Sequence, residues 1–322
     1  MTVRYRDGIE LTLSDGTRVV CDADDLDGDV NVVTHAHGDH YPEGEATAVC
    51  SELTAALATA RRDVPLHRTT DPRVTLLSAG HVAGSQAALV TDPDGTRYLY
   101  TGDICTRSRF YLDGFQPPSA DVLVIEATYG EPEYTFPSHD DIADDIHTWL
   151  RETPEPVILL GYALGRAQKL QLLAAEADRE RVFTTPAVER VNEVIETHRD
   201  VTFDVDHYGE DTSLREGDAL VLPMTSGRID WVDRLATEAG AVKAGFSGWA
   251  VDQSFKFQGD YDVTFPLSDH CDFAELLDVA DTVGPETVYT QHGSAATLAD
   301  HLTSAGYDAT SLRQNQLSLG DF

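Results

Sequence analysis

The sequence predicts an α/β protein in which one α/β domain is interrupted by a second, smaller one. Short apolar runs bounded by turn residues recur from the N-terminus and are typical of buried strands. From about Pro154 strand and helix patterns alternate, as in a compact α/β domain, and after about Val251 the first pattern resumes. We therefore expect the first domain to comprise residues 1–153 and 252–322, and the inserted domain residues 154–251.

The first 150 residues begin with a predicted hairpin. Residues 9–13 and 17–21 alternate on either side of the turn Ser14-Asp15-Gly16. An apolar run at 30–33 predicts a buried strand, and Ser51 occupies an N-cap position ahead of a helix. The further elements predicted here are strands at 74–77, 87–90, 98–100 and 122–125, and a helix capped by Ser138 that reaches Leu150.

The inserted segment and the C-terminal segment each contain strands followed by helices. In the inserted segment we predict strands at 157–160, 182–184, 219–222 and 242–246, and helices ending near 177 and spanning 187–198. In the C-terminal segment we predict strands at 263–266 and 288–290, and helices at 273–279 and 296–305.

Charge is the strongest feature of the composition. Acidic residues outnumber basic ones by 56 to 23, which gives a net charge of −33. The acids are spread among periodic apolar segments, so neither disorder nor an acidic tail explains them. We infer a surface adapted to high salt, where repulsion is screened within about 3 Å at about 1 M. The charge argues against a nucleic-acid partner, but less strongly when salt quenches long-range repulsion.

Cysteine use and hydropathy predict a cytoplasmic protein without membrane association. The four cysteines are scattered and form no Cys-x-x-Cys pair, which is typical of reduced thiols. No apolar run is long enough to span a bilayer, and no secretory h-region follows the first residues.

Four side chains that can bind metal follow the strand at 30–33 within six residues: His35, His37, Asp39 and His40. Alternate residues of an extended segment point the same way, so His35 and His37 can hold one ion together. Asp39 and His40 diverge toward a second ion position as the chain turns. Imidazole nitrogen combined with carboxylate oxygen suits zinc better than calcium or magnesium.

This spacing, His-x-His-x-Asp-His, resembles the signature of the metallo-β-lactamase superfamily. The resemblance implies a four-layer αββα sandwich and three further ligands, and His81, Asp103 and His292 follow predicted strands in the implied order. By resemblance, Asp103 bridges two zinc ions, and manganese is an alternative metal. The remaining ligands are His35, His37 and His81 for one ion, and Asp39, His40 and His292 for the other.

Segments 79–85, 126–130, 161–168 and 267–270 together resemble the β-CASP branch of that superfamily, which comprises nucleases of RNA 3′-end processing, RNA turnover and DNA repair. The resemblance implies that 154–251 is a β-CASP domain and that Glu126, His270 and Asp39 are catalytic. Glu126 would fix the tautomer of His270, which would protonate the leaving oxygen. The residues expected to bind substrate phosphate are Arg166, at a helix start, with Gly165 and Ser85.

A pair of zinc ions supplies an activated water and stabilises the attacking and leaving oxygens of a displacement at phosphorus. We therefore expect a phosphodiesterase that trims single-stranded RNA or DNA from a 5′ end. The chain looks most like the small DNA ligase-associated exonucleases and the mRNA 3′-end processing factor-like proteins of archaea. The resemblance does not decide between DNA and RNA as the substrate, or between exonuclease and endonuclease action. The expected partners are a second copy of the chain and a DNA ligase, a helicase or RNA-processing proteins.

Two other functions use the same residues. A small-molecule hydrolase, such as a thioesterase or lactonase, needs the metal core but no phosphate-binding arginine. A non-catalytic subunit of a processing complex binds ends without cleaving them. For the single residues, the alternatives are that Arg166 forms an ordinary ion pair and that Glu126 and His270 form a structural pair.

Overall fold

A computed structural model describes residues 2–224 and 230–313 of the chain. Over these residues the chain divides into two compact units. The first comprises Met1–Ser108, Leu112–Thr135 and His270–Phe322, and the second comprises Arg109–Tyr111 and Phe136–Asp269, insofar as these ranges are described. Among the described residues, no helix combines the length and apolar character needed to cross a bilayer.

The first sheet of the first unit, sheet A, contains β1 (Thr2–Tyr5), β2 (Ile9–Thr12), β3 (Arg18–Cys21), β4 (Val30–Val32), β5 (Ala46–Val49) and β6 (Leu66–Thr69), in that spatial order. The strands from β1 to β3 pair antiparallel, which confirms the predicted hairpin, and those from β3 to β6 pair parallel. Helix α1 (Glu52–Arg62) follows β5. The Ser51 hydroxyl accepts the Thr54 N–H at 2.9 Å, which confirms the predicted N-cap.

The second sheet of the first unit, sheet B, contains β7 (Val74–Ser78), β8 (Gln86–Thr91), β9 (Arg97–Tyr100), β10 (Val122–Glu126), β17 (Thr287–Gln291) and β18 (Asp308–Ser311). Its spatial order is β18-β17-β10-β9-β8-β7. The four strands from β18 to β9 are parallel, and β7 and β8 continue antiparallel. Helices α7 (Phe273–Val283) and α8 (Ala295–Ser304) belong to the same unit.

Two apolar clusters hold the first unit together. One joins the facing strands of both sheets and includes Leu11 and Val19 of sheet A with Val90 of sheet B. The other joins sheet B to helices α7 and α8 and includes Ile125 with Leu276. Burial of such side chains is the main stabilising term of a fold, at roughly 1.5–3 kcal/mol for each fully buried Leu, Ile or Val.

The second unit is built on a parallel sheet of strands alternating with helices. Its elements are α2 (His139–Glu152), β11 (Val157–Gly161), α3 (Arg166–Glu176), β12 (Arg181–Thr184), α4 (Pro186–His198), β13 (Asp206–His207), β14 (Asp218–Pro223), α5 (Asp230–Ala239), β15 (Val242–Phe246), α6 (Ser254–Gln258) and β16 (Val263–Phe265). The order of the strands is β13-β12-β14-β11-β15-β16. Each pair is parallel, as the alternating pattern predicts.

The second unit is wider than the predicted 154–251 at both ends. Helix α2 contacts α3, so the residues before 154 join this unit. Strand β16 pairs with β15, whereas the sequence pattern assigns 263–266 to the resumed first domain. The hydrogen bonds between β15 and β16, which a local sequence pattern does not reveal, place β16 in the second unit.

Candidate metal centre

The candidate ligands of the first unit lie where strands end. Strands β9, β10 and β17 are neighbours and run parallel, so their carboxyl ends meet at one edge of sheet B. Asp103 follows β9, Glu126 ends β10, and His292 follows β17. Residues after the carboxyl ends of parallel strands are the usual site-forming positions of such sheets. Sheet geometry therefore explains why three residues far apart in sequence converge.

Among the described residues, the largest cluster of potential ligands has four members: His35, His37, His81 and Asp103, whose ligand atoms all lie within 4.8 Å of one another. His37 Nδ1 lies 3.0 Å from His35 Nε2 and 3.2 Å from His81 Nε2. Asp103 Oδ2 lies 3.5 Å from His35 Nε2 and 3.6 Å from His81 Nε2. Four ligands about 2.0–2.2 Å from a tetrahedral zinc ion stand about 3.3–3.6 Å apart, so this donor set fits the metal.

A second ion position would lie next to His40, which also approaches Asp103. His40 Nε2 lies 3.6 Å from the same Asp103 Oδ2 and 3.9 Å from Asp39 Oδ2. The His292 ring centroid lies 5.8 Å from that of His40. The structure thus places His40 beside the Asp103 carboxylate, and it places Asp39 and the His292 ring near His40. Asp39 is mostly exposed and His40 is buried.

Asp22 supports this second group and was missed in the sequence. Its carboxylate accepts hydrogen bonds from His40 Nδ1 at 3.0 Å and from the Tyr100 hydroxyl at 2.9 Å. It also accepts the Thr34 N–H at 2.7 Å. A carboxylate on one ring nitrogen fixes the tautomer and leaves the other nitrogen for a metal. The available signal was a lone acid at the end of a predicted strand, which is too common to single out.

Helix α1 also holds the loop 35–41, which carries the candidate ligands His35, His37, Asp39 and His40. Arg61 donates to the Ala36 carbonyl, and Arg62 donates to the carbonyls of Gly38 and, at 2.8 Å, Tyr41. Arg62 also lies over the Tyr41 ring, 4.1 Å from its centroid. These contacts fix a loop that lacks secondary structure of its own.

The buried Glu126 and the partly buried His270 form a pair beside the first cluster. His270 Nδ1 lies 2.9 and 3.0 Å from the two carboxylate oxygens of Glu126. Glu126 also accepts the Ile104 N–H at 2.8 Å. Asp103, Glu126 and His270 offer ligand-type atoms within 4.8 Å of one another, and the His270 ring centroid lies 4.4 Å from that of His81. The pair therefore adjoins the metal cluster through Asp103 and His81.

Burial and neighbouring charges shift the pKa values of the two histidines His35 and His40 in opposite directions. Burial lowers the pKa of His35 well below its usual value, and neighbouring histidines act in the same direction. Burial also acts to lower the pKa of His40, but the carboxylates of Asp103 and Asp22 outweigh it and raise that pKa to about 10. Burial raises the pKa of Asp103. A metal ion held by His40 would have to displace the ring proton, which would couple its binding to pH.

The three residues expected to bind substrate have other contacts within their units. Arg166 is buried in the second unit, where it donates through Nε to Asp269 at 3.0 Å and through Nη1 to the Phe246 carbonyl at 2.9 Å. Gly165 precedes α3 with φ 108°, and its N–H donates to a side chain of that helix. Ser85 is buried in the first unit, and its hydroxyl accepts the Val82 N–H at 3.2 Å.

Comparison with curated proteins finds several relatives, although no protein-family model matches the chain. A probable DNA ligase of Opitutus terrae is 33% identical over 304 residues, which cover 89% of this chain and 29% of that protein. The DNA cross-link repair protein SNM1 of Arabidopsis thaliana is 26% identical over 306 residues, 82% of this chain and 61% of that protein. An RNase J-like protein of Methanocaldococcus jannaschii is 26% identical over 202 residues, 51% of this chain and 48% of that protein.

The mixed α/β sheets and the histidine–aspartate cluster at their strand ends define a metal-binding α/β protein. The chain belongs to the metallo-β-lactamase superfamily and, within it, to the β-CASP branch. It spans less than two thirds of the length of each of these three relatives.

Proposed function

We propose that the chain is a metal-dependent nuclease that hydrolyses phosphodiester bonds of single-stranded nucleic acid, trimming from a 5′ end. The observation that carries this proposal is the junction of two groups at Asp103: the cluster with His35, His37 and His81, and the Glu126–His270 pair. A metal site alone fits many hydrolyses. The carboxylate–histidine pair beside it adds a proton donor for the leaving oxygen, which cleavage of a phosphodiester with a poor leaving group requires.

Each residue has a proposed task. One zinc ion would be held by His35, His37, His81 and Asp103, and a second by Asp39, His40, His292 and the shared Asp103, with manganese as the alternative. Bound metal would supply an activated water and charge stabilisation. Glu126 orients His270 through Nδ1, so Nε2 carries the proton to the leaving oxygen. Asp39, exposed beside the ligands, is the third catalytic residue that we propose.

For substrate binding we propose Arg166, Gly165 and Ser85. Arg166 engages Asp269 and Phe246 within its own unit, so a phosphate would have to share the guanidinium with these partners. An Arg166→Lys variant should raise KM for an oligonucleotide more than it lowers kcat, because a lysine replaces the planar fork with a point charge.

The remaining assignments complete the proposal. We assign the first unit to the four-layer αββα sandwich and the second unit, which contains residues 154–251, to the inserted β-CASP domain. The names of the relatives point to both DNA and RNA: a probable DNA ligase, a DNA cross-link repair protein and an RNase J-like protein. A cytoplasmic location, a homodimer, and a DNA ligase, a helicase or RNA-processing proteins as partners belong to the same proposal.

The deciding experiment follows cleavage of 5′- and 3′-labelled single-stranded DNA and RNA, at high salt, with added zinc or manganese. We expect mononucleotides released from the 5′ end by the wild-type chain, and none by Asp103→Ala or His270→Ala. Metal analysis should give about two ions per wild-type chain. Thioester or lactone hydrolysis without oligonucleotide cleavage, or full cleavage by either variant, would reject the proposal.

A further inference from the structure

Two segments of the first unit run side by side from the candidate site to its periphery. One is 103–107, which begins with Asp103, and the other is 270–275, which begins with His270. They are more than 160 residues apart in sequence, so contacts between them, and not the local backbone, set the distance between their first residues.

Backbone hydrogen bonds join the segments close to the site. The Ile104 N–H donates to Glu126 Oε1 at 2.8 Å, and the Ile104 carbonyl accepts the Cys271 N–H at 2.8 Å. Ile104 thus contacts both Glu126, whose carboxylate orients His270, and Cys271, which follows His270 in the chain. A shift of either segment would change the approach of His270 to Asp103.

Ion pairs join the segments at their far ends. Arg107 donates through Nη2 to Asp272 Oδ2 at 2.8 Å and through Nε to Glu275 Oε1 at 2.6 Å. The Thr106 hydroxyl donates to the same Glu275 oxygen at 3.0 Å. The side chains of Arg107, Asp272 and Glu275 are only 21%, 3% and 17% exposed. Charge-assisted bonds shielded from water hold geometry better than exposed ion pairs do.

The two carboxylates are themselves fixed by the start of α7. Asp272 caps the helix by accepting the Glu275 N–H at 2.9 Å, and Glu275 accepts the Asp272 N–H at 2.9 Å. This reciprocal capping box makes a rigid acceptor for the planar arginine fork. Arg107 therefore binds the N-terminus of α7. His270 lies two residues before Asp272, the N-cap of that helix.

We propose that Arg107 is a positioning residue for the hydrolytic reaction: by holding Asp272 and Glu275, it fixes His270 against the Asp103 segment. The inference rests on the proposed function. A misplacement of about 1 Å at a reacting group can cost about 100-fold in rate. Loss of Arg107 should thus lower kcat for an oligonucleotide about 10- to 100-fold with little change in KM.

The test compares two esters. An oligonucleotide has a poor leaving oxygen that needs a proton, whereas bis(p-nitrophenyl) phosphate releases a stable phenolate that needs none. Arg107→Ala should slow the oligonucleotide about 10- to 100-fold but the nitrophenyl ester less than about 3-fold. Metal content should be unchanged. The matched control is Arg73→Ala, since Arg73 makes a two-contact ion pair with Asp71 in the same unit, at 2.8 Å for each contact, and should leave both rates unchanged.

Two further variants make the test decisive. Arg107→Lys should recover part of the lost rate, and Glu275→Gln should reproduce part of the loss if Arg107→Ala does not fold. Equal losses with both esters, or an Arg107→Ala variant with full kcat, would overturn this inference alone. A wild-type chain that hydrolyses neither ester would overturn the proposed function and the inference together.

Discussion

Asp22 accepts a hydrogen bond from Nδ1 of His40 at 3.0 Å, which leaves Nε2 of that ring directed at the candidate metal position. Asp22 has φ 50°, a left-handed conformation that aspartate and asparagine tolerate better than most residues. The same carboxylate accepts hydrogen bonds from the Thr34 N–H and the Tyr100 hydroxyl. A residue outside the predicted ligand set thus sets the tautomer of a candidate ligand.

The first prediction concerns this carboxylate. Asp22→Asn keeps the size and the backbone conformation but removes the charge that holds the His40 proton on Nδ1. Metal affinity should fall about 10- to 100-fold, as expected for the loss of a hydrogen-bond partner of a ligand. The measurement is competition with a chelator of known affinity. Asp63→Asn is the control, because Asp63 has a similar φ of 57° at the C-cap of α1, away from the ligands. Equal affinities for the wild type and Asp22→Asn would contradict the prediction.

The second prediction concerns Glu126. In Glu126→Gln the amide no longer stabilises a proton on Nδ1 of His270, so the ring adopts the wrong tautomer for part of the time. We expect kcat for an oligonucleotide to fall by about 100-fold or more, with metal content unchanged. Steady-state kinetics with metal analysis checks this. A variant that loses metal in proportion to activity would show that Glu126 supports the ligands instead.

The third prediction concerns the glycine before Asp103. Gly102 has φ 54°, and a Cβ there would lie 2.7 Å from the Thr34 hydroxyl oxygen. Gly102→Ala should therefore destabilise the first unit by roughly 2–4 kcal/mol, combining backbone strain with a clash beside the ligands. Urea unfolding of the variant should show this shift.

A variant at a second glycine distinguishes the two causes of destabilisation, backbone strain and steric clash. Gly95 also has a positive φ, 97°, but a Cβ there meets nothing within 4 Å. Gly95→Ala should cost only the strain, roughly 1–3 kcal/mol, and should leave metal affinity intact. If both variants lost equal stability and equal metal affinity, the contact with Thr34 would not matter.

The fourth prediction concerns acid stability of the second unit. Burial acts to raise the pKa of the Asp269 carboxyl, but Lys169, Arg166 and Arg109 hold it well below its usual range. A lowered folded pKa stabilises the fold fully above the unfolded value of about 3.9, and this contribution is lost as pH falls through the folded pKa. The free energy of unfolding should therefore decline below about pH 4.

The variant Asp269→Asn tests the assignment. At pH 7 it should be about 3–5 kcal/mol less stable than the wild type, since it leaves buried cations without their counter-charge. Below pH 4 its stability should fall less steeply, by up to about 1.4 kcal/mol per pH unit. All three tryptophans, Trp149, Trp231 and Trp249, lie in the second unit, so their fluorescence during urea unfolding reports on it. Identical slopes would assign the acid sensitivity to other groups.

Much of the fold was predictable where elements are local and strongly patterned. The hairpin at 9–21, the strands that carry the site and the caps at Ser51 and Ser138 are confirmed. Strands β1, β5, β6, β13 and β18 and helices α5 and α6 were not predicted. Strands such as β6 and β18 are short, carry mostly polar residues and gain their pairing only from neighbours in the sheet.

The sequence by itself determined which atoms are available for metal binding, because His35, His37, Asp39 and His40 lie within six residues and their spacing on an extended segment is local. Only the tertiary structure decided what surrounds them. Asp22 meets Tyr100 across 78 residues, and Arg107 meets Asp272 across 165, through sheet pairing and loop packing that no local pattern encodes. The physical reason is that side-chain type fixes chemistry, whereas distance between remote residues is set by the burial of a shared core.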